Sequence, residues 1–307
     1  VAIHLEVTSE TNSLGRIAEM PDLNELNVLI VGRNRPNHLK RLLESDALDN
    51  PSLRFHIFLD GPEVNASRDL EEIMLRETQD LAREFIEQRS GKLKISQEKL
   101  GCYRGVTTAI DWFFENAKEG LILEDDLLLH PKSIDFVAKA LETFREVDGV
   151  SSICLYRVGE REISGAFTFS SFTSSWGWAT WKNRWELFDH NVERKMSTHP
   201  LLMLKHGGIK GLKRWRSVSQ RLRSGELDSW GYRWLFSVWL RRGMNLVFPY
   251  NLIENGGFDD FATHTKSGKS NRIETKEISV DALKWDFLQL RIDSNYDKKV
   301  LKNNFGI

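Results

Sequence analysis

The chain has 307 residues, 40% of them hydrophobic and 28% charged, with a formal net charge of −1. These values are those of a soluble globular protein with one large or two modest domains, and they exclude a chain-wide field that would draw in nucleic acid or a membrane. No apolar run approaches ~18 residues, so no transmembrane helix is expected. The two cysteines, Cys102 and Cys154, have neither metal-site nor disulfide-framework spacing. Buried free thiols are expected, which favours a reducing compartment and a cytoplasmic location.

Residues 1–26 are polar and aperiodic and read as an arm; the chain opens on Val1, which leaves room for a preceding leader or domain. "NVLIVGRNRP" (Asn27–Pro36) reads as a buried strand ending in a turn, and "NHLKRLLESDAL" carries apolar residues at helical spacing. "RFHIFLDGPE" (Arg54–Glu63) is a second strand, closed by the turn signal Asp60-Gly61-Pro62. Asp69–Arg89 reads as a long charged amphipathic helix, "LKISQE" as a short third strand, Val106–Ala117 as a helix and Gly120–Asp126 as a fourth strand. The alternation predicts an α/β fold with a parallel sheet, in which ligands bind at the carboxyl ends of strands. Arg33, Arg35, Asp60 and the triplet Glu124-Asp125-Asp126 all fall at such ends. Beyond about residue 150 the alternation fades. "LDSWGYRWLFSVWLRRG" reads as a helix, "MNLVFPYNLIENGG" as a strand and loop, and Val280–Leu290 as a helical patch.

The triplet carries the chemistry. A buried strand does not tolerate three unpaired carboxylates, because burying a charge costs several kcal/mol or neutralises it. Mg²⁺ and Mn²⁺ take one or two protein carboxylates together with phosphate oxygens, so a strand ending in acids suits a site from which a diphosphate departs. The plain alternative is a solvated acidic loop ahead of the helix that comes after "HPKS". No G-x-x-x-x-G-K-[ST] occurs, which disfavours a P-loop NTPase, and no G-x-G-x-x-G comes after the first strand, which disfavours a dinucleotide fold.

Three ordered segments, "KLGCYRGVTTAIDWFFENAKEGLILEDDLLLHP", "SSWGWATWKNRWELFD" and "NLIENGGFDDFATHT", resemble a family of bacterial nucleotide-diphospho-sugar transferases. More distantly they are similar to the eukaryotic N-acetylglucosaminyltransferase I group. The resemblance covers roughly residues 27–270 and implies a GT-A type, Rossmann-like α/β fold with a mostly parallel sheet flanked by helices. It divides the chain into a nucleotide-sugar-binding half (27–128), an acceptor and catalytic half (129–275) and a C-terminal helical segment (276–307). It implies an inverting, metal-dependent glycosyltransferase that moves a hexosyl or N-acetylhexosaminyl group from a UDP-sugar to a glycan, lipid-linked or protein-linked acceptor. In that pattern Asp126 holds Mn²⁺ or Mg²⁺, Glu124 and Asp125 contact donor sugar or ribose, and Arg35 and Asp60 grip the nucleobase.

Inverting transfer also needs a carboxylate to take the acceptor's proton. Asp228 in "GELDSWGYRW" stands where the family pattern often places an acid before Ser-Trp; some relatives carry it after the Trp, where this chain has Gly231. Its plain reading is a helix N-cap. Trp176 and Trp178 suit stacking on a sugar face, and Gly177 a close backbone approach, with core packing as the alternative. His264 could complete a Mn²⁺ site or meet a phosphate, inside a loop whose Gly256, Gly257, Asp259 and Asp260 suggest mobility and whose Lys266 and Lys269 suit phosphate. The basic stretch Lys205–Arg223 reads as a solvated helix face, with contact to the inner face of a membrane as the alternative. Two rival functions remain: a non-catalytic carbohydrate-binding protein on a transferase fold, and a sugar nucleotidyltransferase.

Overall fold

The near-continuous apolar run Leu26–Gly32 forms β1, and Val28, Leu29 and Ile30 are wholly buried, as a strand covered on both faces requires. The structure is a computed structural model that describes residues 25–63, 69–89, 91–159, 166–256, 273–274, 278–281, 283, 285 and 290–307. From β1 the chain runs through α1 (Pro36–Leu43), β2 (Leu53–Leu59), α2 (Asp69–Gln88), β3 (Gly91–Ile95), α3 (Gly101–Asn116) and β4 (Glu119–Glu124). Next come β5 (Leu127–Leu129), α4 (Ser133–Phe144), β6 (Val150–Cys154), β7 (Thr168–Ser170), β8 (Trp178–Trp181) and α5 (Lys182–Trp185). Helices α6 (Val192–Ser197), α7 (Pro200–Lys205), α8 (Gly208–Ser224) and α9 (Trp230–Leu240) precede β9 (Met244–Val247), β10 (Ile253–Asn255) and α10 (Ser294–Val300).

Eight strands form one sheet in the order β3-β2-β1-β4-β8-β6-β9-β7. The first four are parallel, β8 is antiparallel to both neighbours, and β6–β9 is parallel again. The architecture is the α/β sheet that the alternation predicts, and the Rossmann-like, mostly parallel sheet flanked by helices that the resemblance implies. β1 pairs with β2 on one side and β4 on the other, so the winding reverses between β1 and β4, and a crevice opens at their carboxyl ends. A separate pair, β5 with β10, lies antiparallel just past the acidic triplet.

Side-chain alternation assigns the two faces. Val28, Ile30, Leu121 and Leu123 join the core under α1, α2 and α4, whereas Leu29, Phe58 and Ile122 join the one under α3. A third core, built on Trp215, Phe236 and Trp239, binds α6 to α10 together.

The sheet extends further than the sequence alternation suggests. β6, β7 and β8 are three to five residues long, too short for a period-2 signal to stand out in an aromatic-rich segment. Helix α3 begins at Gly101, five residues before the predicted start, because its first turn is capped from elsewhere in the fold. Trp178 is a correction: it is buried, stacks on Trp230 at 5.5 Å, and belongs to the core beneath α3 and not to a sugar platform. Of the predicted 280–290 patch only a few residues are described, and residues 1–24 lie outside the described residues.

Gly177 has φ +54°, and a Cβ there would run into Cδ1 of Ile253 on β10. The close approach is therefore to the protein's own side chain. Gly177→Ala should cost about 2–4 kcal/mol through backbone strain and overpacking, read as a lower urea midpoint; an unchanged midpoint would mean that Ile253 moves aside freely.

Two imidazoles are buried neutral. His206 stacks on Trp239 at 3.9 Å and is pushed down to about 3 by burial and by Lys205. His56 is pushed down to about 4 by burial and by Lys92. Both lie below the ordinary 6.5, so below that pH the unfolded chain binds protons that the native state refuses, and stability falls as pH falls. His206→Phe keeps an aromatic stack and should flatten the loss between pH 6.5 and 5 by up to about 1.4 kcal/mol per pH unit. Comparing urea midpoints of the two chains isolates His206 from carboxylates that titrate in the same window.

Candidate active site

The residues just past the ends of β1, β2 and β4 line the crevice. The ladder continues one residue beyond each strand: Asp60 N donates to Gly32 O at 2.9 Å and Asp125 N to Val31 O at 3.0 Å. Alternation turns Glu124 toward the α3 face and Asp125 to the other side. Pro36 opens α1 and keeps Arg35 outside the helix, at the N-cap with φ −121° and ψ 71°. From there Arg35 reaches both buried aspartates, with Nη2 2.5 Å from Asp125 Oδ1 and Nη1 donating to Asp126 Oδ2 at 2.7 Å. Arg33 N donates weakly to Asp125 Oδ2 at 3.4 Å, while its guanidinium goes outward to Gly61 O at 3.1 Å and Glu71 Oε1 at 2.5 Å.

The cluster thus holds three carboxylates against one guanidinium. Burial pushes Glu124 up to about 8, reinforced by Asp126 and opposed by Arg35. Burial also pushes Asp125 up to about 6, opposed by Arg35. Burial works against the Arg35 charge as well, but Asp125 and Asp126 hold it protonated beyond the ordinary arginine range.

Asp60 and Asp228 occupy a second station, the start of α3. Asp60 Oδ1 accepts from Gly61 N at 2.9 Å and Leu100 N at 2.7 Å, and Oδ2 accepts from Gly101 N at 3.1 Å. Asp228 accepts from Tyr103 N at 3.3 Å through both oxygens. Gly101 has φ +81°, and a Cβ there would sit 3.0 Å from Asp228 Oδ2, so glycine admits the carboxylate. Two acids distant in sequence therefore meet the Leu100, Gly101 and Tyr103 N–H groups at the start of α3. Asp228 does not cap its own helix: Ser229 does, its Oγ accepting from Tyr232 N. The Asp60 carboxylate is buried and already takes three backbone N–H bonds, whereas Asp228 is exposed.

Cys102 lies between the two stations. Burial first, then Glu124 and Asp228, pushes its thiol up to about 12, which leaves it inert as a nucleophile. Trp176 is half-buried against Tyr156 at 4.8 Å and lines a cavity of about 540 Å³, whose wall also includes Ser174, Ser229, Gly231 and Tyr232. His264, with Gly257, Asp259, Asp260, Lys266 and Lys269, lies outside the described residues; the preceding Gly256 N donates to Asp126 O at 2.8 Å.

Sequence reasoning missed the support beneath Asp228. Arg233 is buried on α9, donates to Ser229 O at 3.2 Å and Leu222 O at 3.3 Å, and lies 4.0 Å from the Tyr103 ring centre. Buried Glu193 stands 3.6 Å from Arg233 Nε. Tyr103 Oη in turn bonds His190 Nδ1 at 2.8 Å. A lone cation inside the apolar run "WGYRWLFSVWL" is the signal that points to Arg233.

The acidic cluster suits a divalent cation. Asp126 Oδ1 is buried without a hydrogen-bond partner, and with Glu124 largely holding its proton at neutral pH the two aspartates still exceed the single charge of Arg35. Among the described residues no three His, Cys, Asp or Glu side chains are set to enclose a metal. Asp126 and Glu124 offer the two carboxylates that Mg²⁺ or Mn²⁺ needs when phosphate and water complete its shell.

No protein-family model matches the chain, and no curated protein sequence does. Among solved structures it is similar to the mannosyltransferase PcManGT from Pyrobaculum calidifontis in complex with GDP-Man and Mn²⁺, at 15% identity and TM-score 0.34, over 56% of this chain and 46% of that one. The chain therefore spans less than half the length of that mannosyltransferase. It is also similar to a UDP-glucose pyrophosphorylase complexed with UDP-glucose, at 10% identity and TM-score 0.37, over 74% of this chain and 92% of that one.

Proposed function

We propose that the chain is an inverting, metal-assisted glycosyltransferase that moves a sugar from a nucleoside diphosphate, a UDP-sugar, to a hydroxyl of a glycan acceptor in polysaccharide or glycoconjugate synthesis. One observation carries the reading. At the carboxyl ends of β1 and β4 an acidic triplet, with Asp125 and Asp126 buried and Glu124 half-buried, is only partly neutralised by Arg35 and keeps Asp126 Oδ1 unpartnered.

Asp126, with Glu124 beside it, would hold Mn²⁺ or Mg²⁺, which when bound neutralises the charge gathering on a departing diphosphate. Arg35 fixes the two aspartates in position. Asp125, buried and bonded from both Arg33 and Arg35, orients the rim of the donor site. Asp228 is the base: it takes the acceptor hydroxyl's proton as that oxygen bonds to the anomeric carbon and the carbon–phosphate oxygen bond breaks. Its link to Tyr103 N and the Arg233 brace hold it in place without covering it. Trp176 and the hydroxyl-rich wall of the neighbouring cavity suit an acceptor sugar, which has an apolar face and a polar rim. Asp60, fully engaged at the start of α3, supports the site by shaping that turn, with base recognition left to groups around it. His264 belongs to the donor side in this reading.

Asp126→Ala should weaken Mn²⁺-dependent binding of a UDP-sugar by about 100-fold or more and abolish turnover. Thermal-shift titration with and without Mn²⁺ reads the first; metal-dependent activity surviving in the variant would count decisively against the site. Asp228→Asn can still accept from Tyr103 N, so melting temperature and donor affinity should hold while kcat falls about 10²–10⁴-fold. An equal fall in donor affinity and stability would make Asp228 a cap alone.

A further inference from the structure

The chain is nearly neutral, yet between Arg194 and Gly225 it carries nine lysines and arginines and no acidic residue. Most of this segment is the hairpin of α7 and α8, packed together across Gly207-Gly208. Helix α8 buries Gly211, Trp215, Val218 and Leu222 along one stripe. The opposite stripe, at spacings of three and four, is Ile209, Lys213, Arg216, Gln220 and Arg223, all exposed. Lys195 pairs with Asp189 and Arg221 with Glu226, but Lys205, Lys210, Lys213, Arg216 and Arg223 have no acid within ion-pair distance among the described residues. The two most exposed large aliphatic side chains among the described residues sit on the same hairpin: Leu201 is 79% exposed and Ile209 70%.

Folding gains nothing from either feature. Unpaired cations repel one another, and exposed Leu and Ile hold apolar area in water. Ile209 shares the stripe of the cations and Leu201 is exposed on the helix packed beside it; a hairpin so composed has as its complement a bilayer bearing anionic headgroups, with aliphatic side chains entering the acyl boundary and cations resting at phosphate level. A polyanion in solution would satisfy the cations and leave Leu201 and Ile209 uncovered.

We infer that the α7–α8 hairpin docks the protein on an anionic membrane surface, and that its acceptor is carried by a lipid. The second clause rests on the glycosyltransferase reading; the first does not. The link between them is Arg214: its Nη2 is 3.5 Å from Tyr232 Oη, and Tyr232 lines the cavity that runs past Ser229 and Trp176. The basic face is thus continuous with the cavity rim, where a lipid-borne sugar would enter from the surface.

The test is co-sedimentation of the full chain with vesicles of phosphatidylcholine alone and with about 30 mol% phosphatidylglycerol, at about 0.1 M and 0.5 M salt. The native chain should bind the anionic vesicles at least about tenfold better than the neutral ones, and less at high salt. Lys213→Glu/Arg216→Glu/Arg223→Glu should lose that preference, and Leu201→Ser/Ile209→Ser should bind anionic vesicles several-fold more weakly at either salt. Equal binding of the native chain to both vesicle types would overturn the proposal, whatever the variants do. So would a Leu201/Ile209 variant that binds vesicles as the native chain does while the native chain binds heparin, since the face would then serve a soluble polyanion. Hydrolysis of a UDP-sugar in free solution should be unchanged in both variants. Its absence from the native chain would count against the transferase reading and leave the vesicle result standing.

Discussion

Three consecutive carboxylates at the end of a buried strand are tolerable only because one guanidinium reaches two of them. Arg35 is the counter-charge to Asp125 and Asp126, and the rest of the site depends on how it gets there. β1 ends at Gly32 and Pro36 begins α1, which leaves Arg35 at the junction, outside the helix. The parallel pairing of β1 with β4 sets that junction beside the triplet. Removing the arginine from such a cluster would leave buried charges unpaired, a larger penalty than the pair itself is worth. The geometry leaves the balance incomplete: one cation faces two aspartates and a glutamate that burial keeps largely protonated, and the remaining attraction for positive charge is what gives the crevice its character.

The start of α3 joins the two halves of the site. Its unpaired N–H groups are met by Asp60 from the end of β2 and by Asp228 from the turn before α9. A helix end that needs capping thus aligns a carboxylate from residue 228 with strands from the first hundred residues. The buried Arg233–Glu193 contact, costly to desolvate, makes sense as what fixes the 222–229 segment so that Asp228 arrives in register.

Much of this was legible in the sequence, and for physical reasons. The strands β1, β2 and β4 are long, apolar and bounded by turns, so they and the crevice they define could be placed from composition alone. The triplet stood out because acids do not belong in such a run. The part that was not legible depends on pairs distant in the chain. Nothing local to Asp60 says that it faces Leu100 and Gly101, and nothing local to Asp228 says that its partner is Tyr103. Trp176 and Trp178, two residues apart, differ entirely in surroundings, one at a cavity wall and one inside a tryptophan cluster. Short β6, β7 and β8 were hidden because they owe their conformation to ladder partners more than to their own residues.

The sheet itself has a mechanical consequence. β4, which carries the acids, is hydrogen-bonded to β8, and β8 to β6, so the strands before and after the triplet form one uninterrupted plate. A jaw-like swing of one half against the other would have to tear those ladders. Any adjustment to a ligand in the crevice is therefore confined to segments at the rim of the plate, while the plate keeps the residues at its strand ends at constant spacing.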